Sequence, residues 1–258
     1  MNFRLRIFVF FAACGLLAGC ASAPQTQAVP ASSTVLRVGV APNSPPMIFK
    51  SNDGLVGVEK ELAESLGQEL GRKVVFVEEK WENLIDALCD NRIDIIMSSM
   101  SITAARSYRI AFSDPYLKVG QMVLARADEK YKYLGNLTDL ASRGVGLKPG
   151  TTGDFLVRQE FPGVSRKYFE NGEEAAEALV RKKIDLFIND APMIWYLAGR
   201  YEAKGLAVTP IVLSEEQLGW GLRRTDTELR TSVNAFLKKS QANGSLNRTF
   251  SKWMPGFQ

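Results

Sequence analysis

Two stretches of this chain follow one pattern, and that repetition limits what it can fold into. Ala87-Leu88 stands six residues ahead of Ile93-Asp94-Ile95-Ile96, and Ala178-Leu179 stands six residues ahead of Ile184-Asp185-Leu186-Phe187. Each reads as a helix end, a basic turn (Arg92; Arg181, Lys182 and Lys183) and a short apolar run suited to a buried strand. A smaller echo pairs Arg37-Val38-Gly39-Val40 with Gly144-Val145-Gly146-Leu147. Two copies are too few for a repeat array. The pattern therefore points to two similar α/β lobes, although any two βα units share some of it by chance.

The surrounding elements extend the pattern. Val35 to Val40 reads as a strand, and the loop Pro42-Asn43-Ser44-Pro45-Pro46 excludes helix. Glu59 to Leu70 has a helical period that Gly71 stops; Val74 to Val77 is a strand, Glu82 to Cys89 a helix, Ile93 to Met97 a third strand. This β-α-β-α-β order predicts a parallel sheet covered by helices on both faces. In the second unit, strand Val145 to Leu147 runs through a glycine turn to a helix at Phe155, and Ile184 to Ile188 is a further strand. Lys118 to Ala125 going out, and Ile211 to Gly221 coming back, are expected to join the lobes. Helices over Thr227 to Lys239 and Leu246 to Trp253 close the chain. Cys89 falls in the apolar pattern of Leu84, Ile85 and Leu88, and reads as a buried small hydrophobe.

Composition excludes several functions. The chain has 258 residues and no histidine, so histidine triads and the commonest zinc ligands are ruled out. Its formal charge of +4 includes Arg4 and Arg6 of a leader, leaving about +2 on the remainder, too little to suggest nucleic acid. Residues 1–19 read as a signal peptide: a basic start, then IFVFFAACGLLAG, too short and too early for a membrane span. Residues 20–33 are small, polar and proline-containing, a flexible tether that could reach roughly 40 Å when extended. With Cys14 lost in the leader and Cys20 modified, Cys89 has no partner for an intramolecular disulfide.

The chemistry concentrates between Ile95 and Tyr116. The run turns polar at Ser98, Ser99 and Ser101, and Thr103 can cap a helix whose first turn holds Arg106. A cation there opposes the helix dipole. An anion held by the guanidinium, serine hydroxyls and backbone N–H groups would resolve the conflict; a solvated Arg106 beside turn serines fits the same residues. In the second unit, Lys148-Pro149-Gly150-Thr151-Thr152-Gly153 leads into a helix, where Gly150 allows close backbone approach and the threonines sit beside free N–H groups. A plain capped turn is the alternative. Asp190, ahead of Ala191-Pro192, reads by itself as a helix N-cap.

In order, IDIIMSSMSIT, Arg106, AFSDPY, the GTT turn and Asp190 resemble the motifs of periplasmic amino-acid-binding proteins of ABC importers, from about Val35 to Trp253. The resemblance implies a two-lobed periplasmic-binding-protein fold of type II, each lobe a mixed sheet with helices on both faces, and a hinge crossed twice. Lobe 1 would comprise residues 34–120 and 214–258, and lobe 2 residues 121–213. It further implies that Ser98, Ser99, Ser101, Arg106, Gly150, Thr151 and Thr152 grip a ligand's α-carboxylate, and that Asp190 accepts from its α-ammonium. Trp81 would form a pocket wall or else a core contact, and Lys148 would reach a ligand side chain or else solvent. Leu17-Ala18-Gly19-Cys20 resembles a lipobox, with cleavage before Cys20 and acylation of its thiol and new amino terminus. That implies a monomeric periplasmic lipoprotein, on the outer membrane of a Gram-negative host or otherwise on the outer face of the cytoplasmic membrane. Its partners would be an amino acid and the transmembrane subunits of an ABC permease.

The departures from the pattern bear on the ligand. Many relatives carry an acid where this chain has Ala41, an aromatic where it has Ser44, and phenylalanine at Met47. With Lys148 added, a polar or acidic amino acid is expected rather than a cationic one, with Ser44 on the pocket wall. No cofactor, metal or catalytic residue is expected. One rival is a dehydratase-like enzyme using Glu59 or Asp190 as an acid–base group. The other is a receptor that reports its ligand to a sensor kinase.

Overall fold

The computed structural model describes residues 34–132 and 144–255, so the leader, the tether and Cys20 lie outside the described residues. The chain opens with β1 (Val35–Val40), β2 (Asn43–Ser44), β3 (Ile48–Ser51), β4 (Gly54–Val56), α1 (Val58–Leu70) and β5 (Lys73–Glu78). Next come α2 (Leu84–Cys89), β6 (Ile95–Ile96), α3 (Ala104–Arg109), β7 (Ala111–Phe112), β8 (Leu117–Val119) and β9 (Gln121–Arg126). The second unit adds β10 (Gly144–Leu147), α4 (Thr152–Glu160), β11 (Ser165–Tyr168), α5 (Gly172–Val180), β12 (Leu186–Asp190), α6 (Ala191–Arg200) and β13 (Leu206–Val212). The return carries β14 (Glu216–Leu218), β15 (Gly221–Leu222), α7 (Thr227–Ala242) and α8 (Ser245–Trp253).

Two five-stranded mixed sheets result, in the orders β5-β1-β6-β15-β7 and β11-β10-β12-β9-β13. In each, the first three strands run parallel, and the fourth pairs antiparallel with both of its neighbours. The internal echo has a physical basis. A Cβ on Gly39 would lie 2.2 Å from Ile93 Cδ1, and one on Gly146 would lie 2.6 Å from Ile184 Cδ1. Each glycine thus clears space for the isoleucine that leads into the neighbouring strand. The aspartates that follow repeat a second device. Asp94 N donates to Arg37 O (2.8 Å) and its carboxylate accepts from Arg37 N (2.9 Å). Asp185 N donates to Gly144 O (2.7 Å) and its carboxylate accepts from Gly144 N (3.0 Å).

Each lobe has its own core. Leu36, Val38, Ile95 and Trp220 pack with α1, α7 and α8 in the first, while Leu124, Leu179, Phe187 and Ile194 pack with α5 and α6 in the second. The lobes join through two adjacent segments. β8 pairs with β14, and just beyond them Leu213 N donates to Gln121 O (2.8 Å). The crossing is close: a Cβ on Gly120 would lie 2.1 Å from Ser214 O.

Several expected boundaries move. The third strand is only Ile95–Ile96, although Asp94 and Met97 still donate to β1 carbonyls. β12 runs on to Asp190 because β9 keeps pairing with it out to Gln121. α4 starts at Thr152 rather than Phe155, since Thr151 caps it. Cys89 is exposed, not buried. α2 turns Leu84, Ala87 and Leu88 inward, and Cys89 ends the helix outside that stripe. Among the described residues, no helix is long and apolar enough to cross a membrane.

Candidate functional site

The polar turn after β6 forms one wall of a cavity between the lobes. Ser98 Oγ accepts from Ala41 N (2.9 Å), which ties this turn to the loop after β1. Ser99 adopts a left-handed backbone (φ 56°) and its N–H donates to Glu59 Oε1 (3.0 Å). The Ser99 hydroxyl is buried without a protein partner, so it remains available to a guest. Glu59 is fully enclosed behind this wall, and it also accepts from the Tyr116 hydroxyl. Burial pushes its carboxyl up to about 7, against the pull of those two donors.

Thr103 caps α3 by accepting from Arg106 N (3.2 Å), which places Arg106 in the first turn. Its guanidinium lies 5.1 Å from the Trp81 ring centroid. It donates to the carbonyls of Ser101 (2.9 Å) and Gly150 (3.4 Å), and among the described residues it hydrogen-bonds no carboxylate. Burial lowers its pKa, while Asp190 and Glu216 oppose that shift from a distance.

The facing wall comes from the second lobe. Gly150 takes a left-handed conformation (φ 70°) and its N–H donates to the buried Asp154 carboxylate (3.0 Å). That bond holds the Lys148–Thr152 turn against the start of α4. Thr151 caps the helix, and Thr152 Oγ1 accepts from Gln121 Nε2 (3.0 Å). Asp190 occupies the N-cap position of α6, yet its side chain makes no cap bond. Its carboxylate instead accepts from Gln121 Nε2 (2.5 Å) on the cavity side. Burial first, and the charge of Glu216 second, raise its pKa to about 6; Gln121, Arg106 and Lys148 pull it down.

Lys148 is buried rather than solvated. Its ammonium donates to Asn43 Oδ1 of the other lobe and stands 5.6 Å from the Trp81 ring centroid. Desolvation lowers its pKa to about 8, resisted by Asp190, Glu82 and Glu170. Trp81 joins the lobes through Nε1, which donates to Gly150 O (3.1 Å), and Asn43 Nδ2 donates to Glu170 O (2.9 Å). The lobes are therefore in contact across the cleft.

The pocket between the lobes is narrow, with about 20 Å³ of free space, close to the room one water needs. Ser44, Trp81, Ser98, Ser99, Ser101 and Arg106 line it from the first lobe, and Lys148, Thr151, Thr152 and Asp190 from the second. Gly150 is not on this wall; its carbonyl braces Trp81 and Arg106. Glu59 is not on it either. Sequence reading missed Asn189 on the wall, Asn43 as the partner of Lys148, and the pair Gln121 and Glu216 beside Asp190. The one available signal was Gln121, a polar residue opening the otherwise apolar run Gln121–Ala125. Among the described residues, no group of side chains could hold a metal ion.

Arg106 and Asp190 stand on opposite lobes across this pocket, so a small molecule admitted when the lobes part would meet a cation at its anionic end and a carboxylate at its cationic end. Comparison with known proteins agrees with such a binding cleft. Residues 36–256 match the bacterial extracellular solute-binding proteins, family 3. The L-cystine-binding protein TcyJ of Escherichia coli (strain K12) is 28% identical over 219 residues, covering 84% of this chain and 82% of that protein. Among solved structures, an ancestral arginine-binding protein bound to arginine superposes with a TM-score of 0.80 at 29% identity, covering 86% of this chain and 98% of that one. The ancestral amino acid-binding protein AncCDT-1, described as a precursor of cyclohexadienyl dehydratase, gives 0.78 at 34%, covering 85% of this chain and 95% of that one. With the two-lobed fold, the doubly crossed hinge and the polar cleft already in place, the chain belongs to the bacterial extracellular solute-binding proteins, family 3.

Proposed function

We propose that this protein captures a small zwitterion, a polar or acidic amino acid, between its lobes and delivers it to an ABC permease. One observation carries the reading. Arg106 from the first lobe and Asp190 from the second face one cavity, both largely desolvated and not paired with each other. A zwitterion gives each charge a partner and rewards closure, because its two ends engage different lobes. Relatives named for L-cystine and arginine support an amino-acid ligand in general. The side-chain preference rests on this chain's own residues: Ala41 offers no carboxylate to a cation, and among the described residues the Lys148 ammonium hydrogen-bonds to the neutral Asn43 and to no carboxylate.

The test is a ligand panel read by melting temperature and calorimetry, since a ligand that binds only the native state raises its stability. L-glutamate and L-glutamine are expected to raise the melting temperature while L-arginine and L-lysine do little. Lys148→Glu is expected to weaken L-glutamate most. A wild-type preference for L-arginine would overturn the side-chain assignment. The enzymatic alternative finds less support, since Glu59 is enclosed behind Ser99 and the dehydratase precursor is itself described as an amino acid-binding protein. The reading includes a monomeric protein held to a membrane by acyl chains on Cys20.

A further inference from the structure

Asp190 does not stand alone in the cavity. Among the described residues, Gln121 Nε2 is the one side-chain donor to its carboxylate (2.5 Å). The same nitrogen reaches Glu216 Oε1 (3.1 Å) and Thr152 Oγ1 (3.0 Å), so two hydrogens serve three acceptors. The amide orientation follows from charge: turned over, Gln121 would aim its oxygen at two carboxylates. Gln121 is fully buried, and its own oxygen has no partner. Glu216, on the returning hinge strand, is itself pinned. Oε2 accepts from Ser101 Oγ (2.5 Å), and Oε1 also accepts from Ser214 Oγ (2.8 Å).

Two carboxylates bridged by one buried amide are a costly arrangement, because like charges repel strongly where water is scarce. A carboxylate meant only to meet an ammonium would need no second acid beside it. We propose that Gln121 and Glu216 are positioning residues for Asp190. The shared amide fixes where the negative charge stands in the cavity, and the Glu216 charge sets how readily Asp190 takes a proton in its place. Capture of the ammonium then weakens on mild acidification. This rests on the reading of Asp190 as the ammonium's partner.

The groups that face Asp190 are Gln121 from β9, Thr152 from α4, Arg106 from α3, Lys148 from the turn before α4 and Glu216 from β14, with the Tyr116 phenol coupled to it by charge. Arg106 and Lys148 favour the ionised form and burial and Glu216 oppose it, which agrees with the carboxyl standing near 6.

The experiment is calorimetric titration of the full-length protein with L-glutamine from pH 4.5 to 8; neither the side-chain amide nor the α-groups of this probe titrate appreciably in that range. In the wild type, the dissociation constant is expected to rise about tenfold per unit below about pH 6, as Asp190 protonates, while any change toward pH 8 belongs to Lys148 and is common to all variants. Glu216→Gln removes the repelling charge, so its break moves to lower pH. At pH 5 it should bind L-glutamine up to about tenfold tighter than wild type. Gln121→Met removes the donor that favours the ionised form, so its break moves to higher pH and its affinity at pH 7 falls. Opposite displacements of one break distinguish positioning of Asp190 from general damage. If Gln121→Met does not fold, the direction of the Glu216→Gln shift decides alone. Parallel pH profiles overturn the proposal, provided that Asp190→Asn abolishes binding and so leaves the zwitterion reading intact. Wild-type affinity in Asp190→Asn overturns both.

Discussion

Arg106 sits in a first helical turn, where its charge opposes the dipole, and among the described residues its guanidinium finds two carbonyls and a tryptophan face but no carboxylate bond. Such a group is held ready for a guest. Removing one partner of a desolvated, hydrogen-bonded charge pair costs about 2–5 kcal/mol, or roughly thirty-fold to several thousand-fold in dissociation constant. Arg106→Ala is expected to lose affinity on that scale while the ligand-free protein melts near the wild-type temperature. Arg106→Lys should recover only part of the loss, because the fork as well as the charge is used. A collapse of ligand-free stability in Arg106→Ala would make the residue structural. Glu59 differs, since its acid lies outside the cavity wall. Its folded pKa is raised, so the native state binds the proton more tightly than the unfolded chain does. That contribution is complete below the ordinary glutamate value of 4.5 and is lost as pH rises through about 7. Glu59→Gln cannot ionise. Its melting temperature relative to wild type is therefore expected to climb between pH 5 and pH 8, and a constant difference would contradict the buried-acid account.

At the level of elements, the site is assembled from helix starts and one crossing. Thr103 and Thr151 cap the helices that follow the two binding turns, so α3 and α4 begin at the cavity edge. The crossing is tighter than either. Gly120 N–Cα–C threads between β8 and β9 with its carbonyl accepting from Ala191 N (3.0 Å), and any Cβ there meets the backbone of Ser214 at 2.1 Å. Backbone cannot swing aside as a flexible side chain can. Gly120→Ala should separate the two hinge segments, lower the melting temperature by several degrees and weaken binding, since overpacking typically costs about 1–3 kcal/mol. Unchanged melting together with unchanged affinity would show that the crossing yields easily.

The whole molecule is two lobes with separate cores, joined by β8–β9 and β13–β14 and touching across the cleft through Trp81, Asn43, Lys148 and Gly150. Separate cores allow each lobe to move as a body, so that a ligand with one charge for each lobe selects the closed arrangement. The proposed lipid anchor belongs to this scale as well. Cleavage before Cys20 and acylation predict detergent partitioning and a mass above that of the bare chain, while Cys20→Ala should be released or remain unprocessed. A membrane-isolated protein with an unmodified mass would contradict the anchor.

The amino-acid order by itself showed the paired βα units, because the Ala-Leu helix end, basic turn and Ile-Asp lead-in recur locally at residues 87–96 and 178–187; only the tertiary structure showed Gly39 making room for Ile93 and Gly146 for Ile184. The amino-acid order also marked Arg106, whose charge is anomalous in a first helical turn, while the serine turn and the glycine turn stood out only through the family resemblance. It misplaced Cys89, since one residue beyond a buried stripe can fall outside it. It had no means to find Glu216. That carboxylate lies 95 residues from Gln121 and 115 from Ser101, and nothing near it in the chain distinguishes it from an ordinary surface glutamate. Only the return of the chain through the hinge sets it beside Asp190. Charge interactions depend on distance in space and on the water excluded around them, and both are decided by the tertiary structure.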